Sequence, residues 1–319
     1  MPQGKLSVII PTRDSQVCAL ECVRTLISQT LQPAETVVVD CGSRDSTREI
    51  VEESYPEARI LRLRRRSNLS QALNRGIRET SAPLVSFLFP EVKLEKGYFS
   101  KLVDALEHPE HAETGFATGK IFKMFRGNDV LDSTGLVWPD ASPLPLKRGE
   151  GEHPGDRYEM QGDVIGPSRG AAVYRRALLQ DVALFGEVFD ESLDHVLEDV
   201  DVACRAHLFG WKGLYVPEAR ATYDVRDEGP GPTYPDAFRW AFGRQVVLLK
   251  NAPLSRLFRG LSRGVIPGPL SLLRDPGSSV PALFAFTGVL SKLHTIRCKR
   301  QEIRKRARMR SKAFGISGT

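Results

Sequence analysis

Short runs of branched apolar residues alternate with amphipathic stretches over roughly the first 90 residues of the chain. Each apolar run is closed by a proline or a polar turn, which is typical of a buried strand in a parallel sheet. Between the runs, apolar residues recur every three or four positions, as on one face of a helix. The predicted strands cover residues 6–10, 36–40, 60–63 and 84–89, and the predicted helices cover 17–31, 46–54 and 69–80.

Four strands alternating with three helices predict an α/β fold, with a Rossmann-like, mostly parallel sheet and right-handed crossovers. Ligands bind such sheets beyond the carboxyl ends of the strands. This rule selects residues 11–14, 40–43 and 90–91 as segments that line a site. The glycine-rich dinucleotide fingerprint is missing after the first strand and the P-loop motif occurs nowhere, which disfavours both of those classes.

The pattern changes in the second half of the chain. From residue 115 to 170 it weakens into short strands and loops rich in proline, glycine and aspartate. Residues 170–179 then pass from an apolar strand into a helix, and residues 198–211 predict another helix. Glu198, Asp199 and Asp201 lie in the first turn of that helix, where the helix dipole favours negative charge. These features predict a second half built around the mouth of the sheet.

Composition and charge narrow the class of protein. The 319 residues are 41% hydrophobic and 26% charged, which is ordinary globular composition and excludes a disordered chain, a collagen or a coiled coil. The net charge of +6 is uneven: residues 250–319 hold 15 Lys and Arg against 2 acidic residues, or +13, which leaves −7 for residues 1–249. An acidic body with a basic tail predicts an anionic partner for the tail.

Cysteine usage and hydropathy indicate the compartment. Five scattered cysteines form no CxxC pair, which favours a reducing cytoplasm and argues against disulfides and zinc. The apolar run near the N-terminus is too short for a secretory signal, and no apolar stretch of the tail has the roughly 20 residues of a spanning helix. We therefore expect a cytoplasmic protein.

Seven segments carry a family resemblance. They read LSVIIPTRD, VVVDCGSRDST, NLSQALNRGI, FLFPEV, GAAVYRRALL, EDVDVACRAHLFGW and YVPEARATYD. In order and spacing this set, over roughly residues 5–250, resembles the family 2 glycosyltransferases, particularly the rhamnosyltransferase-like branch. The resemblance implies a GT-A fold, a nucleotide-diphosphate sugar donor and inverting transfer to a hydroxyl. We expect a glycosyltransferase domain over 1–235, with donor and acceptor halves meeting near residue 110, and a helical basic region over 236–319.

The resemblance also assigns roles to single residues. Inverting transfer needs a carboxylate that takes the hydroxyl proton of the acceptor, and the resemblance gives this role to Asp199, with Glu198 and Asp201 shaping its position. Asp40 would accept the N3–H of uracil or thymine. The other donor-binding residues implied are Pro11, Thr12 and Arg13 beside the base and ribose, Gly42 and Ser43 where the backbone approaches, and Asn74 and Arg75 beside the diphosphate.

Simpler interpretations of these residues stay open. The acidic trio could cap a helix that faces solvent, and Asp40 could cap a turn between a strand and a helix. Arg75 could lie on a solvated helix face.

The metal-binding motif of the resembled family is altered. The motif is often LNPD in the rhamnosyl branch and reads Leu88, Phe89, Pro90 and Glu91 here. A histidine that usually follows the YVPEA strand is replaced by Asp224. Because carboxylate oxygens suit Mg²⁺ and Mn²⁺, Glu91 and Asp224 predict an altered divalent-metal site. The alternative is a metal-poor or inactive homologue.

The basic tail predicts a membrane surface as its partner. Between residues 238 and 261, apolar and aromatic residues recur at helical spacing with Lys and Arg between them, as in interfacial amphipathic helices. Residues 292–312 hold ten Lys and Arg and one Glu, which favours an anionic leaflet. Nucleic acid is disfavoured, since no aromatic residue interleaves with these charges and no nucleic-acid motif is present. A merely solvated helix is the alternative.

Together these observations predict an inverting glycosyltransferase that works peripherally at the inner face of a bacterial plasma membrane in cell-surface polysaccharide synthesis. It would move a sugar, with rhamnose as one candidate, from a UDP- or dTDP-linked donor to a glycan or lipid-linked acceptor. The altered metal motif motivates a second hypothesis, a non-catalytic binding or scaffold subunit. A nucleotidyltransferase would need a glycine-rich loop after the first strand, and residues 11–14 do not form one.

Overall fold

A computed structural model gives the chain a ten-stranded mixed sheet with helices packed on both faces. The residues it describes are 4–64, 67–125, 128–140, 142–167, 170–194, 197–224, 234–252 and 276–313.

The first half of the sheet is parallel, as the alternation of strands and helices predicts. Its strands are β1 (Leu6–Thr12), β2 (Glu35–Asp40), β3 (Arg59–Arg62) and β4 (Leu84–Phe87), in the order β3-β2-β1-β4. The crossovers contain α1 (Gln16–Ile27), α2 (Thr47–Ser54) and α3 (Leu69–Arg78). β1 is buried along its whole length because its side chains enter both cores, with Ile9 on the side of α3 and Val8 on the side of α1.

The second half makes the sheet mixed. It adds β5 (Val92–Leu94), β6 (Thr114–Phe125), β7 (Asn128–Ser133), β10 (Gly162–Val164), β11 (Val173–Arg175) and β12 (Lys212–Tyr223), and β8 (Leu136–Val137) and β9 (Leu146–Lys147) form a separate ribbon. β11 runs antiparallel to β4 and β6, and β12 is parallel to β6. The helices are α4 (Tyr98–Glu107), α5 (Arg176–Val182) and α6 (Glu198–Leu208). The predicted α/β class is confirmed; the first half of the sheet is wholly parallel, and the second half combines parallel and antiparallel pairs.

Within the described C-terminal ranges, three helices pack against the second half of the chain. They are α7 (Tyr234–Asn251), α8 (Pro276–Ser291) and α9 (Leu293–Ala313). Val247 of α7 and Val289 of α8 share a hydrophobic cluster with Val200 and Cys204 of α6. The helical character of the basic region is thus confirmed within these ranges, and the boundary near residue 235 stays a prediction. The end of the predicted amphipathic stretch, residues 253–261, lies outside the described residues.

Helix α8 has two contrasting faces and no charged residue. Ala285 and Val289 are buried against the body, whereas Phe284, Phe286 and Leu290 are each more than half exposed. The outer face of α8 is therefore apolar. Within the described ranges, no helix combines the length and the hydropathy that crossing a bilayer requires.

Candidate active site

The loops after β1 and β2 meet at the carboxyl edge of the sheet. Thr12 ends β1 directly beside Asp40, which ends β2. Asp40 is 2% exposed, and its Oδ1 accepts hydrogen bonds from the backbone N (3.0 Å) and the Oγ (2.5 Å) of Ser43. Its Oδ2 lies 4.0 Å from Nε of Arg62. The turn cap considered for Asp40 is therefore present, and it engages one of the two carboxylate oxygens.

Thr12 and Arg13 lie at the same edge of the sheet, and we call this region the donor mouth. The Oγ1 atom of Thr12 is buried and forms no hydrogen bond with any residue that the structure describes. Arg13 donates from Nη2 to the carbonyl oxygen of Ser67, just before α3. Gly42 turns the chain with a φ of +77°, which a side chain would strain. The residues brought together here are the predicted donor residues Pro11, Thr12, Arg13, Asp40, Gly42 and Ser43.

The pKa of the Cys41 thiol depends on the charged residues around the donor mouth. Burial raises the pKa of its thiol to about 11; the charge of Arg13 opposes the rise, and the charges of Asp40 and Asp194 add to it. Asp194 belongs to the segment between α5 and α6, so the second half of the chain reaches the donor mouth. Because only the thiolate is nucleophilic, Cys41 is inert at neutral pH.

Glu198 and Asp199 begin α6 beside a cavity at the end of β4. The preceding residue, Leu197, has a φ of +60°, which is uncommon for a bulky side chain. Burial raises the pKa of Tyr174 and the charge of Asp199 raises it further, which places this carboxylate near the phenol. The remaining lining residues are apolar and come from both halves of the chain: Leu73, Phe87, Phe89, Gly170 and Phe189.

Asn74 fixes the segment that leads to α6. Its side chain is buried, and Oδ1 accepts hydrogen bonds from the backbone N atoms of Val188 (3.1 Å) and Phe189 (2.9 Å). Its Nδ2 donates to the carbonyl oxygen of Phe189 (2.8 Å) and to Oε1 of Glu191 (3.1 Å). Since these bonds engage the acceptor and both donors of the amide, the structure gives Asn74 a positioning role in place of the predicted diphosphate contact.

Arg75 is not placed with the donor residues. Its Nη2 lies 2.6 Å from Oε1 of Glu79, and Glu79 also pairs with Arg59 (3.1 Å) at the start of β3. Asp40 is level with Arg62 at the opposite end of that strand. A strand rises about 3.3 Å per residue, so roughly 10 Å of strand separates the two ends. The geometry favours the solvated helix face that was left open for Arg75.

Asp201 enters a buried ion cluster and does not line the cavity of Asp199. Its Oδ2 lies 2.9 Å from Nη2 of Arg205, and its Oδ1 lies 2.9 Å from Nζ of Lys250. Asn251 donates from Nδ2 to the same Oδ1 (2.7 Å). Asp201 is fully buried among these contacts, and its part in shaping the position of Asp199 stays a prediction.

The cluster extends to Asp190 and to helix α9. Lys250 also donates to Asp190, and Nζ of Lys299 lies 2.9 Å from Oδ1 of Asp190. We call Asp190, Asp201, Arg205, Lys250 and Lys299 the buried charge cluster. Burial alone would raise the pKa of both carboxyls, but the facing Lys and Arg charges outweigh it and hold each pKa below its usual range. Both carboxylates are therefore ionised at neutral pH.

Glu91 and Asp224 lie together where β5 pairs with β12. The backbone N of Asp224 donates to the carbonyl oxygen of Glu91 (2.8 Å), and Oδ2 of Asp224 lies 2.9 Å from Nζ of Lys93. Among the described residues, no three His, Cys, Asp or Glu side chains group as metal ligands. Mg²⁺ is commonly held by one or two carboxylates, with waters and substrate phosphates completing its six ligands, so Glu91 and Asp224 would supply only part of a metal centre. The altered Mg²⁺ or Mn²⁺ site stays a prediction.

Sequence patterns did not reveal the partners of Asp201. Lys250 follows the apolar run of residues 246–249, where it is one cation among several in a basic region. The one local indication was Arg205, four residues after Asp201 and hence on the same face of a helix.

The sequence model of glycosyl transferase family 2 matches residues 7–183 of the chain, which is more than half of its 319 residues. The matched region runs from β1 through α5 and includes the donor mouth. The chain belongs to this family, as the seven segments indicated.

Two curated relatives illustrate the range of similarity. The chain is 36% identical over 88 residues to the uncharacterized glycosyltransferase YibD of Escherichia coli, a match that covers 27% of this chain and 25% of the relative. It is 25% identical over 223 residues to the N-acetylglucosaminyl-diphospho-decaprenol L-rhamnosyltransferase of Mycobacterium tuberculosis, covering 61% of this chain and 67% of the relative. The chain thus spans a quarter of one relative and two thirds of the other.

Solved structures show the same fold. TarS residues 1–349 of S. aureus, in complex with UDP-GlcNAc, matches with a TM-score of 0.59 at 18% identity and covers 97% of this chain and 91% of that one. GalNAc-T7 with UDP, GalNAc and Mn²⁺ matches with a TM-score of 0.58 at 18% identity and covers 77% of this chain and 48% of that one. These likenesses confirm the predicted GT-A fold.

Asp201→Asn tests the buried charge cluster. It removes one charge and leaves Lys250 and Arg205 under-compensated in a buried site, so we expect a loss of about 3–5 kcal/mol in the free energy of unfolding at pH 7. Because the pKa of Asp201 is lowered in the folded state, its contribution is present above the unfolded pKa of about 3.9 and is lost as the pH falls below that value. Urea unfolding at pH 7 and at decreasing pH measures both effects.

The matched control is Asp163→Asn, an exposed aspartate on β10, which should change the unfolding free energy by at most about 0.5 kcal/mol. A stability difference between wild type and Asp201→Asn that persists unchanged into strong acid would contradict the ionic origin of the effect.

Proposed function

We propose that the chain is an inverting glycosyltransferase that uses a UDP- or dTDP-linked sugar and a lipid-linked acceptor. The observation that carries the proposal is the placement of Asp40 at the end of β2 and of an acidic pair beside the end of β4, at one edge of the sheet. Membership of family 2 supports it, because Asp40 lies within the region that the family model matches and the acidic pair lies in one of the seven motifs.

The donor end of the site suits a pyrimidine imide. Uracil and thymine carry an N3–H, which Oδ2 of Asp40 can accept while Oδ1 stays with Ser43. Cytosine has an acceptor at this position and would face the carboxylate unfavourably. The buried Oγ1 of Thr12, which has no partner among the described residues, offers a further hydrogen bond to the base or ribose.

The acceptor end supplies the proton transfer. The acceptor oxygen forms a bond to the anomeric carbon, the bond from that carbon to the diphosphate oxygen breaks, and the nucleoside diphosphate leaves with the electron pair. The hydroxyl proton passes to the carboxylate of Asp199. Phe87, Phe89 and Phe189 make this end of the site apolar, which disfavours water as a competing acceptor.

Support for the acceptor and the sugar comes from the mycobacterial relative, an N-acetylglucosaminyl-diphospho-decaprenol L-rhamnosyltransferase. We extend both to this chain, with rhamnose as the candidate sugar and cell-surface polysaccharide as the product. A lipid-linked acceptor requires the enzyme at a membrane, and two features support this position. Phe284 and Phe286 are exposed on α8, and the neighbouring α9 is rich in Lys and Arg.

A second candidate function is a non-catalytic binding or scaffold subunit. The observation that favours it is the pairing of Asp224 with Lys93 at the predicted metal site. Nucleotide titration with and without divalent metal separates the two candidates.

We expect calorimetric titration to show binding of UDP or dTDP that is at least about ten-fold tighter than binding of CDP. Asp40→Ala should weaken UDP binding by about 1.5–3 kcal/mol, as for a hydrogen bond to a charged group. The titrations are run with EDTA, Mg²⁺ or Mn²⁺, so that any metal requirement is measured directly. Asp163→Asn is the control. Equal affinity for UDP and CDP would rule out the base contact, and no nucleotide binding under any metal condition would leave the scaffold hypothesis.

Asp199→Asn separates catalysis from donor binding. Asparagine keeps the shape of the side chain and cannot take the proton, so we expect transfer to fall by about 10²–10⁴-fold with donor affinity unchanged. The assay follows labelled sugar from dTDP-rhamnose or UDP-sugars to a prenyl-diphosphate-linked N-acetylglucosamine. Transfer at the wild-type rate by Asp199→Asn would exclude this residue as the base.

Phe284→Ser with Phe286→Ser tests the membrane surface. We expect the wild-type chain to co-sediment with phosphatidylglycerol vesicles far more than with phosphatidylcholine vesicles, and to be released by salt because the Debye length shortens. The double variant should bind less at every lipid concentration. Met160→Ser, which removes an exposed apolar side chain elsewhere, is the control. Equal binding of the double variant and the control would contradict the role of α8.

A further inference from the structure

A cleft of about 540 Å³ lies between α7, α8 and the segment that leads to α6. Leu193 and Asp194 form its inner wall, only five or six residues before Asp199. Ser70 of α3 donates to the carbonyl oxygen of Leu193 (3.1 Å), which ties this wall to the donor half of the chain. The cleft is thus separate from the cavity of Asp199 and adjoins it through the segment before α6.

The floor of the cleft is apolar. Phe238 and Phe242 of α7 are stacked, with ring centroids 6.1 Å apart and an interplanar angle of 15°. Gly288 of α8 faces them, since a Cβ on this residue would lie 3.3 Å from Cδ2 of Phe242 and 3.8 Å from Cζ of Phe238. The absence of a side chain at residue 288 lets the backbone of α8 approach the two rings closely, and a larger side chain there would enter the cleft. Such a surface suits a flexible hydrocarbon chain more than a sugar, which needs hydrogen-bonding groups.

The rim of the cleft carries two cations, Arg239 and Lys292, and two carboxylates. Arg239 lies 3.5 Å from Asp194 and 3.1 Å from Asp236, so it pairs with both carboxylates and offsets one of their two charges. Lys292 lies at the junction of α8 and α9, is exposed, and forms no ion pair with any residue that the structure describes. Its ammonium group is therefore available to an anion at the end of the apolar floor.

We propose that this cleft binds the prenyl diphosphate portion of the lipid-linked acceptor, with the isoprenoid chain on Phe238 and Phe242 and the diphosphate at Lys292. This inference rests on the proposed function and adds the site and chemical class of the acceptor's carrier. The charge of Lys292 complements a diphosphate, and the apolar floor complements the first isoprene units. The exposed Phe284 and Phe286 on the outer face of the same helix place the cleft at the membrane surface from which such a lipid would enter.

The test is calorimetric titration of the full chain with farnesyl diphosphate, a short prenyl diphosphate, below its micelle concentration. Gly288→Leu puts a larger side chain into the cleft and should weaken binding by about ten-fold or more. Lys292→Gln removes the facing charge and should weaken binding by about five-fold. Inorganic pyrophosphate and farnesol, each of which satisfies only one part of the cleft, should bind at least about ten-fold more weakly than farnesyl diphosphate.

Matched controls separate the cleft from general surface effects. Thr287→Leu adds similar bulk one residue earlier on the exposed side of α8, and Lys305→Gln removes a charge from the exposed side of α9. Neither should change the affinity for farnesyl diphosphate. Binding that is unaffected by Gly288→Leu, that falls equally with Thr287→Leu or Lys305→Gln, or that pyrophosphate matches on its own would overturn the proposal.

UDP titration of the same samples keeps this outcome distinct from the proposed function. If UDP binds and farnesyl diphosphate does not, the cleft proposal fails and the transferase proposal stands. If farnesyl diphosphate binds at the cleft and no nucleotide binds, the cleft is supported and the transferase proposal fails.

Discussion

The position of the candidate base depends on the buried charge cluster. Asp201 lies in the same helical turn as Asp199, so the contacts that fix Asp201 also fix the depth and rotation of α6. Burying an ionised carboxylate costs several kcal/mol unless cations and hydrogen-bond donors face it. Asp201 has Arg205, Lys250 and Asn251 as such partners, and a shift of α6 past α7 would break these contacts and leave charges buried without compensation. The energetic penalty thereby holds α6 in one arrangement.

The same cluster makes the C-terminal helices part of the support of the site. Lys250 belongs to α7 and Lys299 to α9, and both reach Asp190 in the segment before α6. Asn74 holds that segment from the opposite side through the backbone of Val188 and Phe189. The acidic pair is therefore fixed between the donor half and the helices that carry the exposed aromatic and basic surface. A membrane contact at α8 and α9 would orient the acceptor end of the site as a rigid consequence of this packing.

The local sequence pattern was enough to predict the structure wherever a residue's environment is determined by its own strand or turn. The positions of β1 to β4 along the chain, and of Asp40 at the end of β2, could be predicted because branched runs followed by turns determine them. Asn74 and Arg75 could not be told apart, since they are adjacent on α3 and a rotation of about 100° decides which is buried. Asp201 could not be separated from Asp199 either, because Asn251, one of the partners that distinguish them, lies 50 residues further along the chain.

At the predicted metal site of Glu91 and Asp224, a neighbouring cation likewise compensates the negative charge. The resemblance implies a histidine where this chain has Asp224, and such an exchange would add a negative charge next to Glu91. Lys93, on the strand that pairs with β12, lies 2.9 Å from Asp224 and balances that charge within the protein. A divalent cation at Asp224 would have to displace this ammonium group, which costs part of the binding energy that a vacant carboxylate would supply. Divalent metal should therefore bind more weakly through these residues than through an unpaired carboxylate set, with the diphosphate of a bound donor supplying most of its oxygen ligands.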